Sequence, residues 1–337
     1  MQNQHFGILL FICIFACQKS KKYMILNVLF ILVGIVLVLW GADRLTDGAV
    51  AVAEKLKMPQ IVIGLTIVAM GTSMPEFCVS LVSALKGTTD LAVGNIVGSN
   101  IFNTLLIVGV SAWVAPMTIL KSTVRKDIPF ALFASVILLI MCLDGNISRL
   151  DAGILFVLFL VFMYVTLNGA KTKEDDTTAK TDSIEDKKKP MAAWLSIVWI
   201  IVGLACLIGG SNLFVEGATK VAEHIGVSEA VIGLTIVAGG TSLPELATSV
   251  VSARKGNSGI AIGNVLGSNV FNILAILGVT GIITPMHLQG ITMLDLSMMV
   301  VSTLLVWLFS FTKYKIARWE GVVLTIVFIG YMVVLCY

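Results

Sequence analysis

The stretch GLTIVAMGTSMPE, from Gly64 to Glu76, continues into GNIVGSNIFN, from Gly94 to Asn103, and the chain contains this pair of motifs twice. The second copy reads GLTIVAGGTSLPE from Gly233 to Glu245 and GNVLGSNVFN from Gly263 to Asn272. The offset is a constant 169 residues, which pairs Glu76 with Glu245, Ser99 with Ser268 and Asn103 with Asn272. Positions 61–104 match 230–273 without a gap, and the register extends outward from Gly41/Gly210 to Pro116/Pro285. The repeated unit is roughly half the chain, so the architecture is a doubled one. Each copy sets one acid, one proline and several hydroxyls inside an otherwise apolar segment.

Of the 337 residues, 57% are hydrophobic and 13% charged, with a mean hydropathy of +0.98. Ordinary soluble domains carry about 25% charged residues. A membrane-spanning helix needs about 20 mostly apolar residues, which leaves room for about ten. The six cysteines are scattered without a Cys-x-x-Cys spacing and read as small apolar residues of helices. His5, His224 and His287 lie far apart, which argues against a zinc site or a histidine-based hydrolase. The serine of Gly-Thr-Ser-x-Pro-Glu has no base to activate it. An enzyme is therefore not expected, nor a cofactor, nor a nucleic-acid partner.

From Ile25 the apolar segments read as Ile25–Gly41, Gln60–Leu85, Leu91–Val114, Ile128–Leu143 and Ala152–Leu167, then Ala192–Gly210, Ala230–Ala253, Ile260–Ile283, Leu294–Phe311 and Gly321–Leu335. This divides the chain into a first five-helix repeat (24–168, motif 61–104), a polar linker (169–190) and a second repeat (191–337, motif 230–273). Residues 1–23 read as an upstream extension ahead of Met24, with a signal-like leader as the alternative. Loops on the linker side collect Arg44, Lys55, Lys57, Lys121, Arg125, Lys126, the linker lysines, Arg254, Lys255, Lys313, Lys315 and Arg318, most of the 23 basic residues. Positive charge favours the cytoplasm, which puts the linker inside and both termini outside. Five spans separate the copies, an odd number, so the second repeat enters the membrane inverted, a recurrent plan of secondary transporters.

Glu76 lies deep in its apolar segment, and a carboxylate there costs several kcal/mol unless it is paired, solvated or bound to a cation. No Lys or Arg occurs in the second, third, seventh or eighth segment, and Glu245 repeats the situation. Pro75 and Pro244 lack an N–H and should open their helices, freeing the carbonyls of Gly71 and Gly240. Thr72 and Ser73 stand four and three residues before Glu76, which on an unbroken helix puts hydroxyl and carboxylate on one face. Ser99 and Asn103 repeat the spacing, as do Ser268 and Asn272. Two acids, several hydroxyls, two amides and freed carbonyls are all oxygen donors, suited to hard cations such as Ca²⁺ or Na⁺. Other polar residues have plainer readings. Thr66, Ser80 and Ser83 fit hydrogen bonding to their own backbone or to a neighbouring helix, Asn95/Asn264 and Asn100/Asn269 serve either broken backbone or an ion, and Asp43, Asp47 and Glu216 sit at segment ends as caps or interfacial groups.

The doubled G-T-S-x-P-E and G-S-N-x-F-N pattern resembles the α-repeats of the cation/Ca²⁺ exchanger superfamily, and within it the prokaryotic sodium/calcium exchangers. The resemblance covers residues from about 25 to 337. It implies an all-α integral membrane protein of ten transmembrane helices, built as two inverted five-helix repeats with broken core helices. It also implies exchange of about three Na⁺ for one Ca²⁺ by alternating access. Ca²⁺ is then held by Glu76 and Glu245 with the carbonyls of Ala69, Thr72, Ala238 and Thr241. Na⁺ falls to Thr72, Ser73, Ser99, Thr241, Ser242 and Ser268, and Asn103 matches a central amide. Some relatives, including potassium-dependent ones, carry Asp at the position of Asn272, so K⁺ co-transport is not expected. The first and sixth spans are expected to slide across the core on Gly34, Gly41, Gly203, Gly209 and Gly210. The rival on the same scaffold is Ca²⁺/H⁺ exchange, since two carboxylates can also take two protons. The implied setting is a prokaryotic inner membrane, with Ca²⁺ and Na⁺ as substrates, the lipid bilayer around the chain and no obligatory protein partner.

Overall fold

A computed structural model describes the backbone of residues 2–171, 192–226, 238–288 and 290–336, with side chains from Met24 onward except at a few segment ends. Backbone polar groups in hydrocarbon must be satisfied within the segment, which favours helices, and 86% of the described residues are helical. Among the described residues eight helical segments are long and apolar enough to cross a bilayer, nine if a bent pair counts as one span. The chain is a multi-pass integral membrane protein. Of the expected linker (169–190), residues 169–171 end a helix and 172–190 fall outside the described residues, as does the start of the seventh span at 230–237.

Helix α1 (Gln2–Lys55) is much longer than the expected Ile25–Gly41 span and continuous with residues expected to form an extension. Its polar residues do not end it. Arg44 pairs along the helix with Asp43 (2.5 Å) and Asp47 (3.8 Å), and Lys255 reaches both acids at 2.5 and 2.7 Å. Asp43 and Asp47 are thus members of an ion cluster rather than caps. Glu216 likewise pairs with Lys220 one turn along its own helix.

The halves then run in parallel. In the first, α2 (Gln60–Ile63) passes through a π-helical stretch, Gly64–Val68, into α3 (Ala69–Thr72). The helix breaks at Ser73 (φ −82°, ψ 9°), and α4 (Met74–Leu85) departs at 47°. Pro75 occupies the first turn of α4, where a missing N–H costs nothing. Then follow α5 (Thr89–Ile101), a π-helical stretch at Phe102–Ile107, α6 (Val108–Val114), α7 (Ile128–Met141) and α8 (Arg149–Lys171). The second half has α9 (Ala193–His224), α10 (Ala238–Thr241), a break at Ser242 (φ −89°, ψ 7°) and α11 (Leu243–Arg254). It continues through α12 (Ser258–Val270), a π-helical stretch at Phe271–Ile276, α13 (Leu277–Ile283), α14 (Met293–Ser310) and α15 (Arg318–Cys336). Both breaks fall one residue past the Gly-Thr of the repeated motif.

Helices α1 and α9 pack antiparallel along glycines seven residues apart. A Cβ at Gly34 would lie 2.6 Å from the Gly210 carbonyl oxygen, and one at Gly41 2.8 Å from that of Gly203. Glycine allows such backbone-to-backbone approach in membranes. These glycines were expected to smooth the passage of two helices over the core. They face each other instead and join the two helices, while Gly209 has no neighbour within 4 Å of its Cβ position.

Short strand ladders sit beside the helices of this all-helical chain. Two-residue strands β1 (Met117–Thr118) and β4 (Lys315–Ile316) pair antiparallel with Met117 opposite Ile316, and β2 (Asn146–Ile147) and β3 (Met286–His287) pair with Ile147 opposite Met286. The 169-residue offset turns one ladder into the other, so each is built from one strand of each half.

Candidate functional site

The breaks at Ser73 and Ser242 and the π-helical stretches after Ile101 and Val270 bring the repeated motifs together in the buried centre. Thr72, Ser73, Glu76, Asn103, Ser242, Glu245, Ser268 and Asn272 are each no more than 1% exposed, and Ser99 is 5% exposed. The pairing runs between halves. Ser73 Oγ donates to Glu245 Oε1 at 2.8 Å, and Ser242 Oγ donates to Glu76 Oε1 at 2.9 Å. This corrects the expectation that Ser73 shares a face with Glu76, because the helix breaks at Ser73 itself and its hydroxyl turns to the acid of the other half. Thr241 lies beside Glu76, and Thr72 and Ser268 lie beside Glu245. Ser99 Oγ is 3.4 Å from Ser242 Oγ.

The two carboxylates are near enough to repel one another. Among the described residues no Lys, Arg or His forms an ion pair with either. Each keeps one oxygen, Oε2, buried without a hydrogen-bond partner, and Asn103 Oδ1 and Asn272 Oδ1 are in the same condition. A buried polar atom left unpaired costs about 1–3 kcal/mol, and more when charged. Four such atoms, two from each half, are oxygen acceptors of the kind that hard cations take as ligands. Among the described residues no group of three or more His, Cys, Asp or Glu is placed to hold a metal ion; the side-chain atoms gathered around the two acids are hard oxygens, not thiolates or imidazoles.

The expected carbonyl ligands are partly engaged. The Ala69 carbonyl accepts from Ser73 N at 3.0 Å, and Thr72 Oγ1, whose one proton goes to Asn264 Oδ1, lies 3.3 Å from it. Ala238 opens α10, and its side chain is outside the described set. The Gly240 carbonyl, freed by Pro244, accepts from Ser211 of α9.

Several residues around the site were not singled out as ligands and hold it in shape. Asn95 Nδ2 donates to the Glu76 carbonyl (3.2 Å) and to Ser80 Oγ (2.9 Å). Asn264 Nδ2 makes the matching bonds to the Glu245 carbonyl (3.3 Å) and Ser249 Oγ (3.0 Å), and Asn264 Oδ1 accepts from Thr72 Oγ1 (3.0 Å). These two asparagines bond to the acid-bearing helices, at a carbonyl inside each helix and at a serine one turn on, not to the broken backbone at Ser73 and Ser242. Their signal in the sequence is the asparagine of Gly-Asn-x-x-Gly-Ser-Asn in both copies.

Comparison with known proteins agrees with this doubled site. A family model described as sodium/calcium exchanger protein matches residues 26–168 and again 195–337, two segments separated by the offset of the motifs. The chain is 32% identical to the sodium/calcium exchanger MaX1 of Methanosarcina acetivorans, over 92% of this chain and 99% of that one. It is 37% identical to the inner membrane protein YrbG of Escherichia coli, over 93% of this chain and 97% of that one. Its structure superposes on the sodium-calcium exchanger NCX_Mj with a TM-score of 0.81 at 30% identity, covering 93% of this chain and 99% of the other. These relatives include exchangers on both the sequence and the structural side, and none of the three is named as an enzyme. The chain belongs to the sodium/calcium exchanger protein family.

Proposed function

We propose that the protein is a secondary active antiporter that exchanges Na⁺ for Ca²⁺ by alternating access, electrogenically, with about three Na⁺ per Ca²⁺. One observation carries the reading. Two carboxylate oxygens and two amide oxygens, half from each repeat, are buried with no donor to satisfy them, and the two carboxylates lie near enough to repel one another. Glu76 and Glu245 balance the charge of one Ca²⁺. The hydroxyls of Thr72, Ser73, Ser99, Thr241, Ser242 and Ser268, with the Ala69 and Ala238 backbone, supply Na⁺ positions and complete the Ca²⁺ shell. Without cations the centre holds uncompensated buried charge and crosses poorly, which enforces exchange over leak.

The scaffold of this reading is ten transmembrane helices in two inverted repeats, 24–168 and 191–337, joined by a cytoplasmic linker, with both termini outside. The interchange of the two strand ladders supports a two-fold relation between the halves, and the odd number of spans between copies supports its axis lying in the membrane plane. The glycine contacts support α1 and α9 moving as one element across the core. The name of the Escherichia coli relative supports a bacterial inner membrane as the location.

Ca²⁺/H⁺ exchange is the second reading, favoured by the single unpaired oxygen on each carboxylate, which is a place for a proton. The hydroxyl-rich surroundings favour Na⁺, because a proton needs no such shell. The test is Ca²⁺ uptake into proteoliposomes under an outward Na⁺ gradient, compared with vesicles carrying only a pH gradient. Uptake driven by Na⁺ and accelerated by an inside-positive potential supports the proposal. Uptake only with an acidic interior moves the protein to proton coupling.

A further inference from the structure

The directions of the hydrogen bonds around Asn103 and Asn272 are set by two groups that can only accept. The Thr104 hydroxyl gives its one proton to the Asn100 carbonyl at 2.6 Å, so toward Asn269 it is an acceptor. Asn269 must therefore turn its NH₂ to Thr104, 2.7 Å away. Its Oδ1 then faces the other way, where Asn103 Nδ2 meets it at 3.1 Å. With its NH₂ spent, Asn103 has only Oδ1 left, buried and unpartnered. The other arm reaches the same result by a different route. The backbone carbonyl of Asn269, a pure acceptor, takes Asn100 Nδ2 at 3.3 Å. Asn100 Oδ1 then faces Asn272 Nδ2 at 3.0 Å, and Asn272 Oδ1 is left buried and unpartnered.

We infer that Asn100, Asn269 and Thr104 are positioning residues that hold the amides of Asn103 and Asn272 with oxygen toward the cation and NH₂ away from it. An unconstrained asparagine can present either end, and one that presents NH₂ repels a cation. The relay explains how neutral residues at both central positions make an acceptor-only site, with Asn272 in particular doing so without a carboxylate. The two arms differ, because the position matching Thr104 is Ile273. Only the Asn103 arm depends on a side-chain hydroxyl. The inference rests on the reading of Asn103 and Asn272 as cation ligands.

The test uses the full chain purified in detergent, with Ca²⁺ alone as the probe and the Ca²⁺-dependent rise in unfolding temperature as readout, so that coupling to Na⁺ or H⁺ does not enter. Thr104→Val keeps the shape of the side chain and removes the acceptor, releasing Asn269 and then Asn103. The half-saturating Ca²⁺ concentration should rise about tenfold, and Thr104→Ser should restore it to within about twofold. In an Asn103→Ala background Thr104→Val should add nothing, because the group it orients is gone. Thr280→Val removes a buried hydroxyl outside the relay and should leave half-saturation unchanged. Asn100→Ala, measured alone and with Asn272→Ala, repeats the test on the other arm with the same expectation. An unchanged half-saturation in Thr104→Val, or an equal increment with and without Asn103, overturns the inference. A wild-type protein with no saturable Ca²⁺ response rejects the ion-site reading itself and the inference with it, and is recognised before any substitution is made.

Discussion

Ser73 Oγ lies 2.8 Å from Glu245 Oε1, 172 positions away in the chain. Ser242 and Glu76 form the reciprocal pair at 2.9 Å. Each repeat therefore supplies the hydroxyl that serves the acid of the other, and neither repeat alone contains a complete centre. In the proposed mechanism α1 and α9 move across the core, while the ligands, tied to one another across the halves, stay in register.

Glu76→Gln and Glu245→Gln should each abolish Ca²⁺ exchange while leaving a folded protein. The amide keeps the shape, deletes one of the two charges that balance Ca²⁺ and can present a donor to it. A unit charge pair at about 4 Å is worth on the order of 4 kcal/mol at an effective dielectric of 20, about a thousandfold in affinity. Radiolabelled Ca²⁺ uptake into proteoliposomes, with size-exclusion profiles as the folding check, measures it. Wild-type rates in either variant would refute the assignment.

Ser73→Ala and Ser242→Ala remove a hydrogen bond to a carboxylate, worth about 1.5–3 kcal/mol. The serines are assigned to Na⁺, so the half-saturating Na⁺ concentration should rise severalfold while that for Ca²⁺ shifts less. Parallel Na⁺ and Ca²⁺ titrations of uptake decide it, and equal shifts for both ions contradict the division of ligands.

Gly34→Ala or Gly210→Ala places a methyl group 2.6–2.8 Å from a carbonyl oxygen of the facing helix. Overpacking of this kind costs about 1–3 kcal/mol. Both substitutions strain the same contact, so the double variant should lose less than the sum of the singles. Gly209→Ala, at an open position, should leave the unfolding temperature close to wild type. Additive losses, or a loss at Gly209 as large as at Gly210, would show that the glycines do not join α1 to α9.

The doubled motif made the acids, their hydroxyls and the halves legible from the chain, because a polar group recurring deep in apolar sequence has few structural explanations. The partners were not legible. The spacing of Ser73 and Glu76 assigns hydroxyl to acid within one helix, and the break at Ser73 reassigns it to the other half. The expected opening at Pro75 is present, but it falls at Ser73, with the proline inside the next helix. The length of α1 was missed because Asp43, Arg44 and Asp47 look like an end in sequence, whereas pairing among themselves and with Lys255 keeps them inside the helix. Two-residue strands such as Met117–Thr118 are too short to show any alternation. The asparagine relay depends on which end of each amide faces which, and that follows only from contacts between residues 165 to 172 positions apart.

The central claim is that Glu76 and Glu245 share one divalent cation. Crystals of the full chain soaked in Sr²⁺, a heavier stand-in for Ca²⁺, locate it directly by anomalous scattering. The account predicts one strong peak between the two carboxylates, about 2.3–2.7 Å from Oε2 of each and displaced by Na⁺. No peak there at saturating Sr²⁺, or a peak held by only one of the two glutamates, would contradict it.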